Sequence, residues 1–299
     1  HVVLGDERLD GRTILVDGAR RLNFSSCSYL GRELDPRLKA ASIDAVERFG
    51  TQISSSRAYL SSPQYEELEH LLRQIFDAHV VVSATTTLGH LSALPILVGA
   101  NDVVLLDQYV HSSVQLTSSM LRANGTRVET IRHSDLSMLE DRVVALAGAC
   151  DRIWYLADGV YSMGGDTAPI GSIQALMDRH PQLHLYVDDA HGMSWRGPHG
   201  RGVALETYAL HQRMVVTTSL SKSFAGGGGA IVLPDPEAAR RIRLIGPSLV
   251  FGGPMQPALL GACLASARIH LSPEIAALQA DLRARIERCN EGLEGTGIP

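Results

Sequence analysis

The amino-acid sequence predicts an α/β protein in which a mainly parallel sheet is flanked by helices in three layers. From about residue 64 onward, apolar runs of strand length alternate with longer segments of helical period. This alternation is typical of parallel strands that are joined by helices. The chain has 299 residues, 45% of them hydrophobic, and such a chain can bury a large core.

The order of these elements can be followed along the chain. Strands are predicted at residues 78–82, 102–106, 127–131, 152–157, 184–187, 214–218 and 230–233. Helices are predicted near residues 87–98, 111–123, 135–146, 171–179 and 236–245. Since no internal repeat or low-complexity tract interrupts this order, we expect residues 61–250 to form one large domain.

The two ends of the chain have a different character. Residues 1–60 contain a hairpin-like stretch, "RTILVDGARRLNFSS", and then a helical segment at residues 36–49. We expect them to form an N-terminal arm. Residues 251–299 become largely helical and end in "EGLEGTGIP", which is a loose end for a finished domain. We expect a helical linker and the start of an incomplete C-terminal lobe.

Composition excludes several classes of function. The net charge is -5, so no basic field is present for nucleic acid or an anionic membrane. No uninterrupted apolar stretch is long enough to span a bilayer, and the first residues lack the apolar core of a signal peptide. The four cysteines, Cys27, Cys150, Cys263 and Cys289, form no C-x-x-C pair. We expect a cytoplasmic protein that acts on small molecules.

Polar residues end the apolar run in "LHLYVDDAHG", where Asp188 and His191 follow a predicted strand. Ligands bind at this carboxyl edge in open α/β sheets. A carboxylate and an imidazole can hold a metal ion, or they can contact a nitrogen and an oxygen of a heteroaromatic ring. Because no second histidine lies four residues before or after His191, as metal-binding H-x-x-x-H spacing would require, the ring is favoured and no metal is expected.

Lys222 lies between two serines in "TTSLSKSFAGGGGAIVLPD", residues 217–235. A Walker phosphate loop has its glycines before the lysine, whereas here they follow it. A flexible linker is also disfavoured, because a strand resumes directly after the glycines. An isolated lysine is usually a solvated surface amine. The apolar run before Lys222 instead favours a buried amine that forms a Schiff base with a carbonyl compound.

Several ordered motifs together resemble one enzyme family. They are "NFSSCSYLGRELDPRLKAA", "ADGVYSMGGDTAPI", "VDDAHG" with "GPHGRG", and "TSLSKSFAGGGGAIV". The chain resembles the α-oxoamine synthases, pyridoxal-phosphate-dependent enzymes of fold type I, from about residue 22 to 257. Members condense an amino acid with an acyl thioester and release carbon dioxide. The combination of motifs at family spacing is far more specific than any one of them.

The resemblance implies a role for each matching residue. Lys222 matches the lysine that holds pyridoxal phosphate as a Schiff base and moves the α-proton. Asp188 matches the carboxylate that keeps the pyridine nitrogen protonated. His191 and Ser162 match the partners of the ring's phenolic oxygen. His111 in "DQYVHSS" matches the histidine that stacks on the ring, although a helix-start histidine with a purely structural role is the alternative.

The phosphate of the cofactor needs hydrogen-bond donors, which the start of a helix supplies. "SATTTLGH" lies where the family has its phosphate-binding turn, so Thr86 and Thr87 are candidates. Ser219 occupies the place of a further phosphate-binding hydroxyl. Asp158 lies where the family usually has glutamate near the substrate, and we expect it to contact the bound cofactor.

The substrate contacts differ more from the family pattern. In "SSCSYLG", Cys27 and Ser28 replace a region that usually contains asparagine. In "SSSRAYLSSPQYEELE", Arg57 is retained, but serines replace glycines and Tyr65 replaces a common histidine. The candidates for substrate binding are therefore Ser28 and Arg57. The sequence supports the identity of the cofactor more strongly than it supports the type of reaction.

We therefore expect decarboxylative condensation of an amino acid with an acyl thioester, carried by coenzyme A or a carrier protein. Another pyridoxal-phosphate reaction, namely transamination, retro-aldol cleavage or plain decarboxylation, is the first alternative. A catalytically idle subunit of a synthase complex is the second. The family resemblance also implies a homodimer with its active sites at the interface.

Overall fold

The structure, a computed structural model that describes residues 3–297, is built around a central sheet of seven strands. A separate hairpin comes first, formed by β1 (Thr13–Val16) and β2 (Ala19–Leu22). The central strands are β3 (His79–Ser83), β4 (Val103–Asp107), β5 (Arg127–Ile131), β6 (Ile153–Asp158), β7 (Leu183–Asp188), β8 (Met214–Ser219) and β9 (Gly229–Leu233). Their spatial order is β3-β9-β8-β7-β6-β4-β5. Only β9 runs antiparallel to its neighbours within this sheet.

Helices cover both faces of the sheet. They are α1 (Pro36–Phe49), α2 (Pro63–Phe76), α3 (Thr86–Leu97), α4 (Ser112–Ala123), α5 (Leu136–Leu146), α6 (Ile170–Arg179), α7 (Pro236–Ile245), α8 (Pro247–Phe251), α9 (Pro257–His270) and α10 (Glu274–Leu293). One core contains buried side chains of α2, α5, α6 and α9, and the other contains those of α3, α4, α7 and α8. The predicted three-layer α/β class is confirmed.

The helices α3 and α4 begin at the carboxyl edge of the sheet, and the residue before each helix caps it. The side chain of Thr85 accepts a hydrogen bond from the backbone N–H of Leu88 at 3.1 Å and caps α3. His111 caps α4 in the same way by accepting from the N–H of Ser113. Such caps satisfy N–H groups that have no partner inside the helix. Both helix starts are thereby fixed beside the strand ends.

The strand and helix predictions agree with the structure to within one or two residues at each boundary. The helix α2 was not predicted as a separate element, and α10 extends to Leu293, which is three residues into the predicted loose end "EGLEGTGIP". The predicted arm contributes α1, which packs tightly on α9: the hydroxyl of Ser42 donates to the carbonyl of Ala258 at 2.9 Å. Within residues 3–297, no helix is long and apolar enough to cross a membrane. The division of the chain at residues 60 and 250 stays a prediction.

Candidate active site

A pocket of about 230 Å³ lies at the carboxyl edge of the sheet, between the starts of α3 and α4. The catalytic and cofactor candidates line it, with the exception of Ser162: Thr86, Thr87, His111, Asp158, Asp188, His191, Ser219 and Lys222. They come from five regions of the chain, which are distant in sequence and meet at this edge of the sheet. The topology thus brings together residues as far apart as Thr86 and Lys222.

The amine of Lys222 is half-buried in this pocket. Its Nζ lies 2.6 Å from Nε2 of His191. Burial lowers the pKa of Lys222, although the carboxyl groups of Asp188 and Asp158 partly oppose the shift. A larger fraction of the amine is therefore neutral than in a solvated lysine, and a neutral amine is the form that attacks a carbonyl carbon or accepts a proton.

His191 connects the lysine to an aromatic residue of the N-terminal arm. Its Nδ1 lies 2.6 Å from the hydroxyl of Tyr29. Burial and the neighbouring Lys222 lower the pKa of His191 to about 4, so the ring is neutral at pH 7. A neutral imidazole has one N–H, and His191 therefore donates to one of these two partners and accepts from the other. The ring fixes the position of Nζ without adding a charge beside it.

Two buried aspartates face each other at the ends of neighbouring strands. Asp158 ends β6 and pairs in register with Asp188 at the end of β7. Burial and the charge of Asp188 raise the pKa of Asp158 far above its usual value. For Asp188, burial is outweighed by His90, the N–H of Ala190 and Lys222, which hold its pKa below the ordinary value. These shifts favour the negative charge on Asp188 and the proton on Asp158.

His111 lies at the wall of the pocket, where its side chain also has structural contacts. Its Nδ1 is 2.7 Å from the hydroxyl of Ser113, and its backbone N–H donates to Asp158 at 3.0 Å. The helix-start contact that was the alternative for this residue is therefore present. A role in stacking on a ring is compatible with this position and stays a prediction.

The start of α3 supplies hydrogen-bond donors at the opposite wall. The N–H groups of Thr86 and Thr87 are among the first of the helix, which have no acceptor inside it. Gly229 allows this close approach, since a Cβ at that position would lie 2.7 Å from the Cα of Thr86. Ser219 ends β8 beside them. Helix starts of this kind bind phosphate groups.

The remaining candidates lie outside this pocket. Ser162 is exposed on the loop after β6. Ser28 lines a second cavity of about 630 Å³, which meets the first one at Ser221 and Lys222. The structure thus brings Ser28, but not Ser162, into a cavity that reaches the lysine.

Arg57 is held in contacts of its own. Its guanidinium donates to Glu69 at 3.1 Å and to the carbonyl of Val82 at 2.6 Å, and it stacks over the ring of Tyr65 at 3.7 Å. Arg57 and Glu69 form a buried ion pair. The structure does not bring the guanidinium to the pocket, and the predicted contact with substrate stays a prediction.

Two residues in the vicinity were not among the predicted site residues. Tyr29 contacts His191, and it lies in the "SYLG" motif that helped to indicate the family. His90 contacts Asp188 from inside α3. The only signal for His90 in the sequence is an imidazole within a largely apolar helix, and such residues are more often structural than functional.

The residue after Asp188 is buried in a different environment. Asp189 is packed against Gly159, Gly192 and Gly202, where any Cβ would collide with its carboxyl group. Its Oδ2 accepts from the N–H of Ala204 at 2.9 Å, and among residues 3–297 its Oδ1 has no hydrogen-bond partner. Burial raises the pKa of Asp189 to about 8, so this carboxyl group is protonated at neutral pH.

Comparison with known proteins identifies the family to which this chain belongs. The family model of the class I and II aminotransferases matches residues 20–299. The chain belongs to the aminotransferase class I and II family. Within this family, it is 32% identical to an 8-amino-7-oxononanoate synthase of Dechloromonas aromatica, over 95% of this chain and 73% of that protein. It is 31% identical to a serine palmitoyltransferase of Bacteriovorax stolpii, over 86% of this chain and 61% of that protein.

Solved structures of the family share the same fold. The serine palmitoyltransferase of Sphingomonas wittichii superposes with a TM-score of 0.89 at 27% identity, covering 99% of this chain and 72% of that one. A serine palmitoyltransferase solved with pyridoxal phosphate gives a TM-score of 0.89 at 25% identity, covering 100% and 73%. Both enzymes named among the relatives are α-oxoamine synthases. The resemblance to the α-oxoamine synthases that the motifs predicted is confirmed.

Proposed function

We propose that this protein is a pyridoxal-phosphate-dependent α-oxoamine synthase, which condenses an amino acid with an acyl thioester and releases carbon dioxide to give an α-aminoketone. The observation that carries the proposal is the single pocket in which the half-buried Lys222 amine lies near the anion of Asp188 and the free N–H groups of α3. The relatives named above perform reactions of this class.

The residues present fit pyridoxal phosphate. Lys222 would hold its aldehyde carbon, Asp188 its pyridine nitrogen, and the start of α3 with Thr86 and Thr87 its phosphate. The fit rests on the chemistry of these groups: a partly neutral amine, one buried anion, and free N–H donors at a helix start. When bound, the cofactor supplies an electron sink for the charge left at the substrate's α-carbon.

The protein's own groups then bind, orient and move protons. Asp188 is the anion that keeps a proton on the ring nitrogen, because the shared charge of the aspartate pair is on it. Lys222 Nζ accepts the α-proton, which its lowered pKa favours. His191 orients Nζ through its 2.6 Å contact and stays neutral. We propose that His111 covers the ring at the wall of the pocket.

The acyl thioester is proposed to enter through the larger cavity. That cavity has about 630 Å³ and shares Ser221 and Lys222 with the cofactor pocket. Much of its wall is apolar, formed by Leu38, Ile43, Ala225, Leu259 and Ala262. An apolar wall next to the reacting lysine suits a hydrocarbon chain. Ser28 is at the wall of the same cavity and is proposed to bind substrate.

The reaction can be tested by measuring thiol release. The protein, loaded with pyridoxal phosphate, is incubated with a panel of amino acids and acyl-coenzyme A chain lengths, and free thiol is measured with a chromogenic reagent. We expect thiol release that requires both substrates, with carbon dioxide formed in equal amount. Transamination would instead give pyridoxamine phosphate from the amino acid alone. That product, without thiol release across the panel, would contradict the proposed reaction.

We also propose that the enzyme is a homodimer with its active sites at the interface. Large apolar side chains are exposed: Tyr109 (59%) and Met163 (98%) are close in sequence to His111 and Ser162, and Phe251 is 89% exposed. Exposed apolar groups of this kind indicate an interaction surface. Sedimentation is expected to give a molar mass twice that of the chain, which is 32.2 kDa. In Phe251→Arg, the measured mass is expected to fall toward that of a single chain. A wild-type monomer at micromolar concentration would argue against this assembly.

The proposed location is the cytoplasm. Cys27, Cys150, Cys263 and Cys289 are all free thiols in the structure. Free thiols are typical of reducing compartments. Recovery of the enzyme in the cytoplasmic fraction of its cells checks this location.

A further inference from the structure

A fully buried histidine lies behind the charged aspartate of the proposed cofactor site. His90 is one turn into α3 and has no exposed surface. Its Nε2 is 3.0 Å from Oδ2 of Asp188, and its Nδ1 is 2.8 Å from the hydroxyl of Tyr186. His90 does not line the pocket, so it can act on a bound molecule only through Asp188.

The hydrogen-bond partners of His90 determine which of its ring nitrogens has the proton. The carboxylate of Asp188 accepts only, so His90 must donate from Nε2. With a single proton on the ring, Nδ1 has the lone pair, and the Tyr186 hydroxyl can donate to it at 2.8 Å. The hydroxyl of Thr217 is farther from Nδ1, at 3.4 Å, and donates to the carbonyl of Val187 at 3.2 Å. One tautomer of His90 satisfies every partner.

The surroundings of Asp188 explain why this contact matters. From β6, Asp158 faces Asp188 and opposes its charge. Lys222 favours that charge from the segment after β8. His191 lies in the turn after β7 and is neutral. The N–H of Ala190 donates to Oδ1 at 3.0 Å, which leaves Oδ2 to His90.

We infer that His90 is a positioning residue of this enzyme: its Nε2–H holds the Asp188 carboxylate as the anion that faces the pocket, so that Asp188 and not Asp158 carries the negative charge. The inference rests on the proposed cofactor site, and it adds a residue inside α3 to the groups that determine how the cofactor is held. Without this donor, one oxygen of a buried carboxylate lacks a partner, and the proton of the pair is redistributed toward Asp188.

Two substitutions at His90 distinguish the effect of its N–H donor from the effect of its side-chain volume. In His90→Gln, the side-chain amide places an N–H donor near the position of Nε2, whereas His90→Leu fills similar space with no donor. Binding of pyridoxal phosphate to the cofactor-free protein is measured by absorbance and fluorescence titration. We expect the dissociation constant to rise about tenfold to a hundredfold in His90→Leu, and to stay within about threefold of the wild type in His90→Gln. Thermal unfolding identifies the variants that are folded.

A measurement on the cofactor-free wild type tests the inference independently of catalysis. With ¹⁵N-labelled histidine, the signals of His90 are assigned by their disappearance in His90→Gln, and the proton is expected on Nε2 at pH 7. A proton on Nδ1 would overturn the inference, even if His90→Leu does not fold. So would wild-type affinity in folded His90→Leu, or equal losses in the two folded variants. Failure of the thiol-release reaction alone would instead count against the proposed function.

Discussion

Replacement of Lys222 by alanine is expected to lower kcat/KM for thiol release by about a thousandfold or more, while the protein stays folded. The reason is that the alanine variant has no amine in the pocket to hold the cofactor's aldehyde carbon or to accept the α-proton. Its half-buried side chain forms no ion pair in the described structure, so its loss leaves the core intact. Steady-state thiol release, with unfolding followed by circular dichroism, measures both effects.

The same variant allows a covalent test of the cofactor site. Borohydride reduction of the loaded wild-type protein is expected to leave a phosphopyridoxyl group on the peptide that contains Lys222, found by mass analysis. Lys39 is the other lysine of the chain and lines the neighbouring cavity, which makes it a matched control. Lys39→Ala should keep the label and Lys222→Ala should lose it. A label on Lys39, or none on either residue, would contradict the assignment of the cofactor to Lys222.

The prediction of the fold succeeded for a physical reason that can be seen in β7. "LHLYVD" is a largely apolar run, interrupted only by His184 and ended by a carboxylate, because both faces of the strand are covered by helices. The same logic placed Asp188, His191 and Lys222 at one edge of the sheet, since parallel strands end on the same side. Motif spacing then linked them to one cofactor.

Contacts that depend on side-chain packing could not be predicted from the sequence. His90 and Asp188 are 98 residues apart, and the apolar character of α3 does not reveal which of its residues faces β7. Arg57 pairs with Glu69, which is 12 residues away on α2. An arginine that binds a substrate carboxylate and one that binds an internal carboxylate have the same sequence signal. Only the packed structure distinguishes the two cases.

Asp188→Asn is expected to lower kcat/KM by about a hundredfold or more, because a neutral amide cannot keep the proton on the ring nitrogen by its charge. The neighbouring Asp189→Asn is the matched control, since it makes the same chemical change one residue further along the chain. Asp189 is protonated at neutral pH because burial raises its pKa to about 8. An amide therefore resembles its native state, and its oxygen can still accept from Ala204. We expect kcat/KM of Asp189→Asn within about tenfold of the wild type.

The two aspartates also differ in how they make stability depend on pH. The folded pKa of Asp189 is about 8 and its ordinary value is 3.8, so between these values the folded protein binds more protons than the unfolded one. Its contribution to the unfolding free energy is therefore fully present below pH 3.8 and is lost as the pH rises toward 8, by up to about 1.4 kcal/mol per pH unit. Asp189→Asn should reduce this decline, as measured by urea unfolding between pH 5 and about 9, and Asp158, whose pKa is also raised to about 8, contributes the part that remains. Asp188 has the opposite sign, because its folded pKa is lowered, so Asp188→Asn should leave most of the decline due to Asp189 in place, since burial is the main cause of that residue's raised pKa. An unchanged slope in Asp189→Asn would show that Asp189 is ionised in the folded protein, and the activity contrast between the two variants would then need another cause.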